Sequence, residues 1–172
     1  INGKMIAVGE LIYFSYFHPT TKRLYDGIIN ADDLTLVAGP RPTSESAESG
    51  VEQALINIEG EPFLFFSAND QMLRSINLTT RVTSEVVTLT NQYFPATSNG
   101  LNIARRLDLN LQGNIRAGTL LNGAYIGDND PHIGADMRQP FIQKFSVTVD
   151  VNSDQATGEL DEESLNLDGI ID

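Results

Sequence analysis

Apolar and polar residues alternate wherever a pattern is readable along this chain. Over residues 101–112 the odd positions are apolar except Arg105, and the even positions are polar except Ala104. A period of two over such a run predicts a strand with one buried and one wet face. Residues 141–151 repeat it, with Phe141, Phe145, Val147, Val149 and Val151 on one side and Lys144, Ser146, Thr148 and Asp150 on the other. Residues 5–17 and 81–90 are rich in β-branched and aromatic side chains, which again favours strand. Phe63, Leu64, Phe65 and Phe66 are apolar on both faces and predict a central strand buried on both sides.

Helical periodicity is thin. Residues 45–55 offer at most a turn or two and residues 69–75 another, capped by Asn69 or Asp70. Turn residues punctuate the chain instead, at Gly27, Asn30, Gly39-Pro40, Gly60, Asn99-Gly100, Gly113-Asn114, Asn122-Gly123 and Gly127. Short strands at that spacing, about nine to eleven of them, predict an all-β fold: an antiparallel β-sandwich of jelly-roll-like form, with a β-barrel as second choice. Residues 1–172 read as a single β-domain, and the polar, proline-bearing stretch 40–50 as a surface loop within it. Residues 18–24 and 154–160 align locally, each between strand-like runs. Each predicts a hairpin tip whose first residue, His18 or Asp154, caps the turn.

Composition narrows the function classes. Forty-one per cent hydrophobic residues suffice for a core. The absence of cysteine excludes disulfides, thiolate metal sites and a cysteine nucleophile. Two histidines, His18 and His132, exclude a histidine-rich metal centre. A formal charge of −12 argues against nucleic acid as a partner, and no apolar run is long enough for a membrane-spanning helix. Charge is also uneven: residues 150–172 hold eight acids and no base, whereas Arg74, Arg81, Arg105, Arg106 and Arg116 cluster in the middle of the chain. One reading is a solvated acidic end. The other docks the acidic segment, through Glu159, Asp161, Glu162 and Glu163, on the arginines Arg105, Arg106 and Arg116 of its own or a neighbouring subunit. Arg105 interrupts an apolar face, so it either sits where the strand reaches solvent or has a partner, an acid of a subunit or a ligand anion.

Two segments have the oxygen-rich make-up of a calcium site. Asp150, Asn152, Asp154 and Asp161 stand at positions 1, 3, 5 and 12 of a loop that resembles an EF-hand or dockerin-type loop, with Gln155 and Thr157 departing from that pattern. Asp128, Asp130 and Asp136 form a second group, equally readable as turn residues. No nucleophile elbow, phosphate loop or metalloprotease motif occurs, so the chain is expected not to be an enzyme and to need no cofactor beyond a Ca²⁺ ion. Tyr13, Phe14, Tyr16, Phe17 and Tyr25 crowd the first hairpin; core packing is their ordinary role, and stacking on a sugar is the other. The expectation is a non-catalytic structural subunit, extracellular, cell-surface or virion, that associates with copies of itself through strand edges and terminal segments. The alternative is a carbohydrate- or small-ligand-binding β-module.

Overall fold

A computed structural model describes residues 3–21, 23–43, 53–67, 72–88, 108–113, 120–127 and 141–166. Among them lie β1 (Gly3–Val8), β2 (Leu11–His18), β3 (Arg23–Asn30), β4 (Leu36–Pro42), β5 (Gln53–Ile58), β6 (Glu61–Ser67), β7 (Met72–Asn77), β8 (Thr83–Thr88), β9 (Asp108–Gly113), β10 (Leu120–Gly127), β11 (Phe141–Asp150) and β12 (Gln155–Asn166). They form three four-stranded antiparallel sheets: β1–β4, β5–β8, and β9–β12. The expected all-β, antiparallel class holds. The sheets do not close into a barrel but pack face to face, as in a sandwich. Within each sheet every strand pairs with its neighbour in the chain, so the order is that of a meander, without the crossovers of a jelly roll. Among the described residues no helix is long and apolar enough to cross a membrane.

Short turns set this order. Gly9-Glu10 joins β1 to β2 and Glu59-Gly60 joins β5 to β6, each as a two-residue hairpin loop. Gly9, Glu59 and Gly60 have positive φ, which matches the strand twist in such loops. The run 5–17, rich in β-branched and aromatic residues, is therefore two strands folded at Gly9-Glu10.

A longer turn occurs three times, closing β3–β4, β7–β8 and β11–β12. It opens on Asn30, Asn77 or Asp150, whose side-chain oxygen accepts the backbone N–H two residues on, at 2.8, 2.8 and 3.0 Å. Four residues after that opening residue stands Leu34, Arg81 or Asp154, each with φ near +60°. The repeat relates all three sheets. The shorter likeness between 18–24 and 154–160 does not: His18 begins a turn, its Nδ1 accepting the N–H groups of Thr20 and Thr21, whereas Asp154 ends one.

Strand alternation then distributes the core. Phe63, Phe65 and Leu73 of the middle sheet pack with Phe145, Val147, Val149 and Ala156 of the third. On the opposite face Leu64, Phe66 and Ile76 pack with Tyr13 and Leu24 of the first. β6 is thus buried on both sides, as its uninterrupted apolar run predicts.

Some local expectations change. Gln53–Leu55 and Met72–Ser75 are strand and not helical turns, because each completes a ladder with β6. Gly27 and Asn122-Gly123 lie inside strands and not at turns. Gly27 faces Phe14 across the ladder, and a Cβ there would stand 2.3 Å from the Phe14 ring, so glycine admits the aromatic.

Candidate functional site

Alternation on β2 and β3 turns one set of side chains toward the middle sheet and the other away from it. The inward set includes Tyr13, Ser15, Leu24 and Asp26, all buried. Asp26 is a carboxylate on an apolar face, and its neighbours satisfy it. One oxygen accepts from Arg41 Nε at 3.2 Å and Arg81 Nη1 at 2.6 Å; the other accepts from the Thr43 hydroxyl at 2.8 Å. The arginines continue outward: Arg41 Nη2 donates to the Leu78 carbonyl and Arg81 Nη2 to the Pro42 carbonyl, at 3.1 and 3.2 Å. Ser15 donates to the buried side chain of Gln53. This network fastens the first sheet to the middle one.

A second polar seam joins the middle sheet to the third. Asn77 Nδ2 donates to Glu61 and Asp154, at 3.1 and 2.9 Å, and the Thr80 hydroxyl donates to Asp154 at 2.8 Å. Ser84 donates to Gln155 and accepts from the Ala156 N–H. In both seams the residue at the positive-φ position of the long turn reaches back to the preceding sheet: Arg81 to Asp26, and Asp154 to Asn77 and Thr80.

The outward set of the first sheet is different in kind. Ile12, Phe14, Tyr16 and His18 on β2 stand opposite Ile29, Gly27, Tyr25 and Arg23 on β3. Phe14, Tyr16 and Tyr25 form a stacked row with centroids 6.3 and 5.7 Å apart, and the His18 ring lies 5.7 Å from Tyr25. Met5 stands opposite Phe14 and Leu36 opposite Ile29, and both are more than half exposed. The result is an apolar surface with phenol and imidazole groups at one end. It can take up another apolar sheet or the face of a ring.

The residues singled out from sequence are placed as follows. Asp150 and Asp154 bound one turn, but the Asp150 oxygen accepts from Asn152 N–H and both Asp154 oxygens accept from the middle sheet. From Gln155 the chain runs as β12, so Asp161 is carried along the strand, about 20 Å from the turn, and the four positions of the calcium-type loop do not converge. Among the described residues no three His, Asp or Glu side chains are grouped to hold a metal. Glu159 is exposed on β12, and Asp161, Glu162 and Glu163 follow on the same strand. Of these acids Glu159 pairs with Ser146 of β11, whereas Asp161, Glu162 and Glu163 fall at an irregularity of that ladder between Leu160 and Ser164. Ala156 and Leu160 supply the packing of β12 on the middle sheet. Arg105, Arg106, Arg116, Asp128, Asp130 and Asp136 lie outside the described residues.

In the β3–β4 turn, hydrogen bonds from the Thr35 hydroxyl and N–H hold the exposed Asp33 carboxyl below its usual range. Sequence reading missed Asp26; its signal was an acid among the alternating inward residues Leu24 and Ile28. No protein-family model matches the sequence, and no curated protein matches it.

Proposed function

We propose that the chain is a non-catalytic structural subunit that associates with copies of itself. The outer face of the first sheet carries this reading: it presents Met5, Ile12, Phe14, Tyr16, Ile29 and Leu36 on one surface, uncovered by either other sheet. The face is four strands wide and six to eight residues long, or roughly 15 by 24 Å. An apolar patch of that extent matches the largest patch of a typical monomer, and such patches are often functional. The buried polar side chains Asp26, Asn77 and Ser84 are engaged in joining the sheets, which fits a structural use of the chain's chemistry.

Association by strand edge is less favoured at β4. That edge strand contains Pro40 and Pro42, which have no N–H to offer an incoming strand. Sedimentation velocity over a concentration series tests the reading. A sedimentation coefficient that rises with concentration is expected, and a monomer throughout would overturn it.

The aromatic row supports a second reading, a carbohydrate-binding module. Phe14, Tyr16 and Tyr25 offer parallel ring faces, with His18 as a polar neighbour. In that case a monomeric chain would bind an oligosaccharide, with chemical-shift changes at Tyr16 and Tyr25.

A further inference from the structure

The internal repeat identifies what belongs on the open face. Leu11 stands opposite Asn30 in the first sheet and Phe63 opposite Asn77 in the middle sheet, so the pair Ile12/Ile29 corresponds to Leu64/Ile76, and Phe14 to Phe66. In the middle sheet these positions are almost inaccessible, with Leu64 at 0%, Phe66 at 1% and Ile76 at 1% exposure, because the first sheet lies on them. Val149 is the counterpart of Ile76 in the third sheet and is likewise buried, against the middle sheet. Each sheet thus uses one equivalent face to receive the sheet before it. The first sheet has the same apolar face, and among the described residues no strand lies on it.

The long turn gives independent support. Arg81 and Asp154, at the positive-φ position, both reach to the preceding sheet. Leu34 holds that position in the first sheet and is 66% exposed. The position that carries a charged seam residue in the other two sheets is here occupied by an exposed apolar one.

We infer that this face is covered by the same face of a second copy, in a closed twofold dimer, an inference that rests on the self-association proposed above. Complementarity decides the pairing. On β11 and β12 the outward face of the third sheet presents Ser146, Thr148, Asp150, Thr157 and Glu159, all polar and mostly exposed. Such a surface ends a stack of repeats in water, and a head-to-tail chain of copies would set the aromatic row against it. Pairing the first sheets instead puts apolar surface on apolar surface and leaves the polar β11–β12 surface of each copy outside. An isologous contact closes at two copies.

The test uses the full chain in three forms: unaltered, Met5→Glu with Leu36→Glu, and a control with Ser153→Glu and Thr157→Glu. All four substituted side chains are exposed, and far-UV circular dichroism checks the fold. Analytical ultracentrifugation should show a dimer for the unaltered chain and the control. The first-sheet variant should dissociate at least 30-fold more readily. As a second measurement, the cysteine-free chain accepts a single Met5→Cys or Ser153→Cys, joined by a short bis-maleimide. Covalent dimer is expected from the first and not from the second, and it decides the matter if the acidic variant does not fold. An unaltered chain that dimerises while the first-sheet variant dimerises equally well would overturn the face but leave self-association standing. A monomer at every concentration would overturn both.

Discussion

Asp26 shows how one ionised group can organise two sheets. It is 1% exposed, whereas its arginine partners Arg41 and Arg81 are 37% and 28% exposed. Removing the acid by Asp26→Ala leaves two guanidinium groups that can turn into water, so a loss near the lower end of the 3–5 kcal/mol typical of a broken buried pair is expected. Removing both bases by Arg41→Ala with Arg81→Ala strands a carboxylate that has nowhere to go, and should cost more. Urea denaturation of the two variants checks the order. Ser75 is the opposite case: its hydroxyl is buried without a partner, so Ser75→Ala should raise stability by about 1 kcal/mol in the same assay. The sequence pointed to a charged residue on an apolar face at Arg105 and passed over Asp26, because Gly27 beside it reads as a turn. Nor are its partners readable, being 15 and 55 residues away.

At the level of elements, alternation was legible and spacing between sheets was not. The double-sided run Phe63–Phe66 announced the middle sheet, since only a strand covered on both faces can bury every residue. Glycines misled wherever they serve packing instead of turning the chain. Gly158 is such a place: a Cβ there would stand 2.8 Å from Val86 Cγ1, 3.1 Å from the Ser146 carbonyl oxygen and 3.3 Å from Val87 Cβ. The contacts are a branched side chain and backbone, neither of which yields cheaply. Gly158→Leu should therefore wedge β12 away from β8 and cost about 1–3 kcal/mol, read as a lowered midpoint of thermal unfolding. The thrice-used turn escaped notice for a related reason. Its opening residue is Asn in two copies and Asp in the third, and its positive-φ residue is Leu, Arg or Asp, so the geometry recurs while the letters do not.

For the whole molecule, the stacking order predicts a gradient of stability. The middle sheet contributes to both cores, so its strands can open only when two interfaces are lost. Among the described residues the first sheet has one covered face, and its margin β4 carries exposed Leu36 and Val37. Amide hydrogen exchange opens such structures in units whose free energies run from near zero up to the global value. The slowest amides are thus expected in β6 and β7, at Leu64 and Phe65 and at Leu73 and Ser75, each bonded within a ladder between buried neighbours. β3–β4 should exchange sooner in dilute solution. Association through the outer face would cover Ile12, Phe14 and Ile29 and make the first sheet a second doubly covered layer. Exchange at β2 and β3 should accordingly slow as concentration rises, while β11 and β12 keep their rates. Uniform exchange across the three sheets would contradict the stacking argument. Slowing confined to β12 would place association at the acidic edge strand and away from the aromatic face.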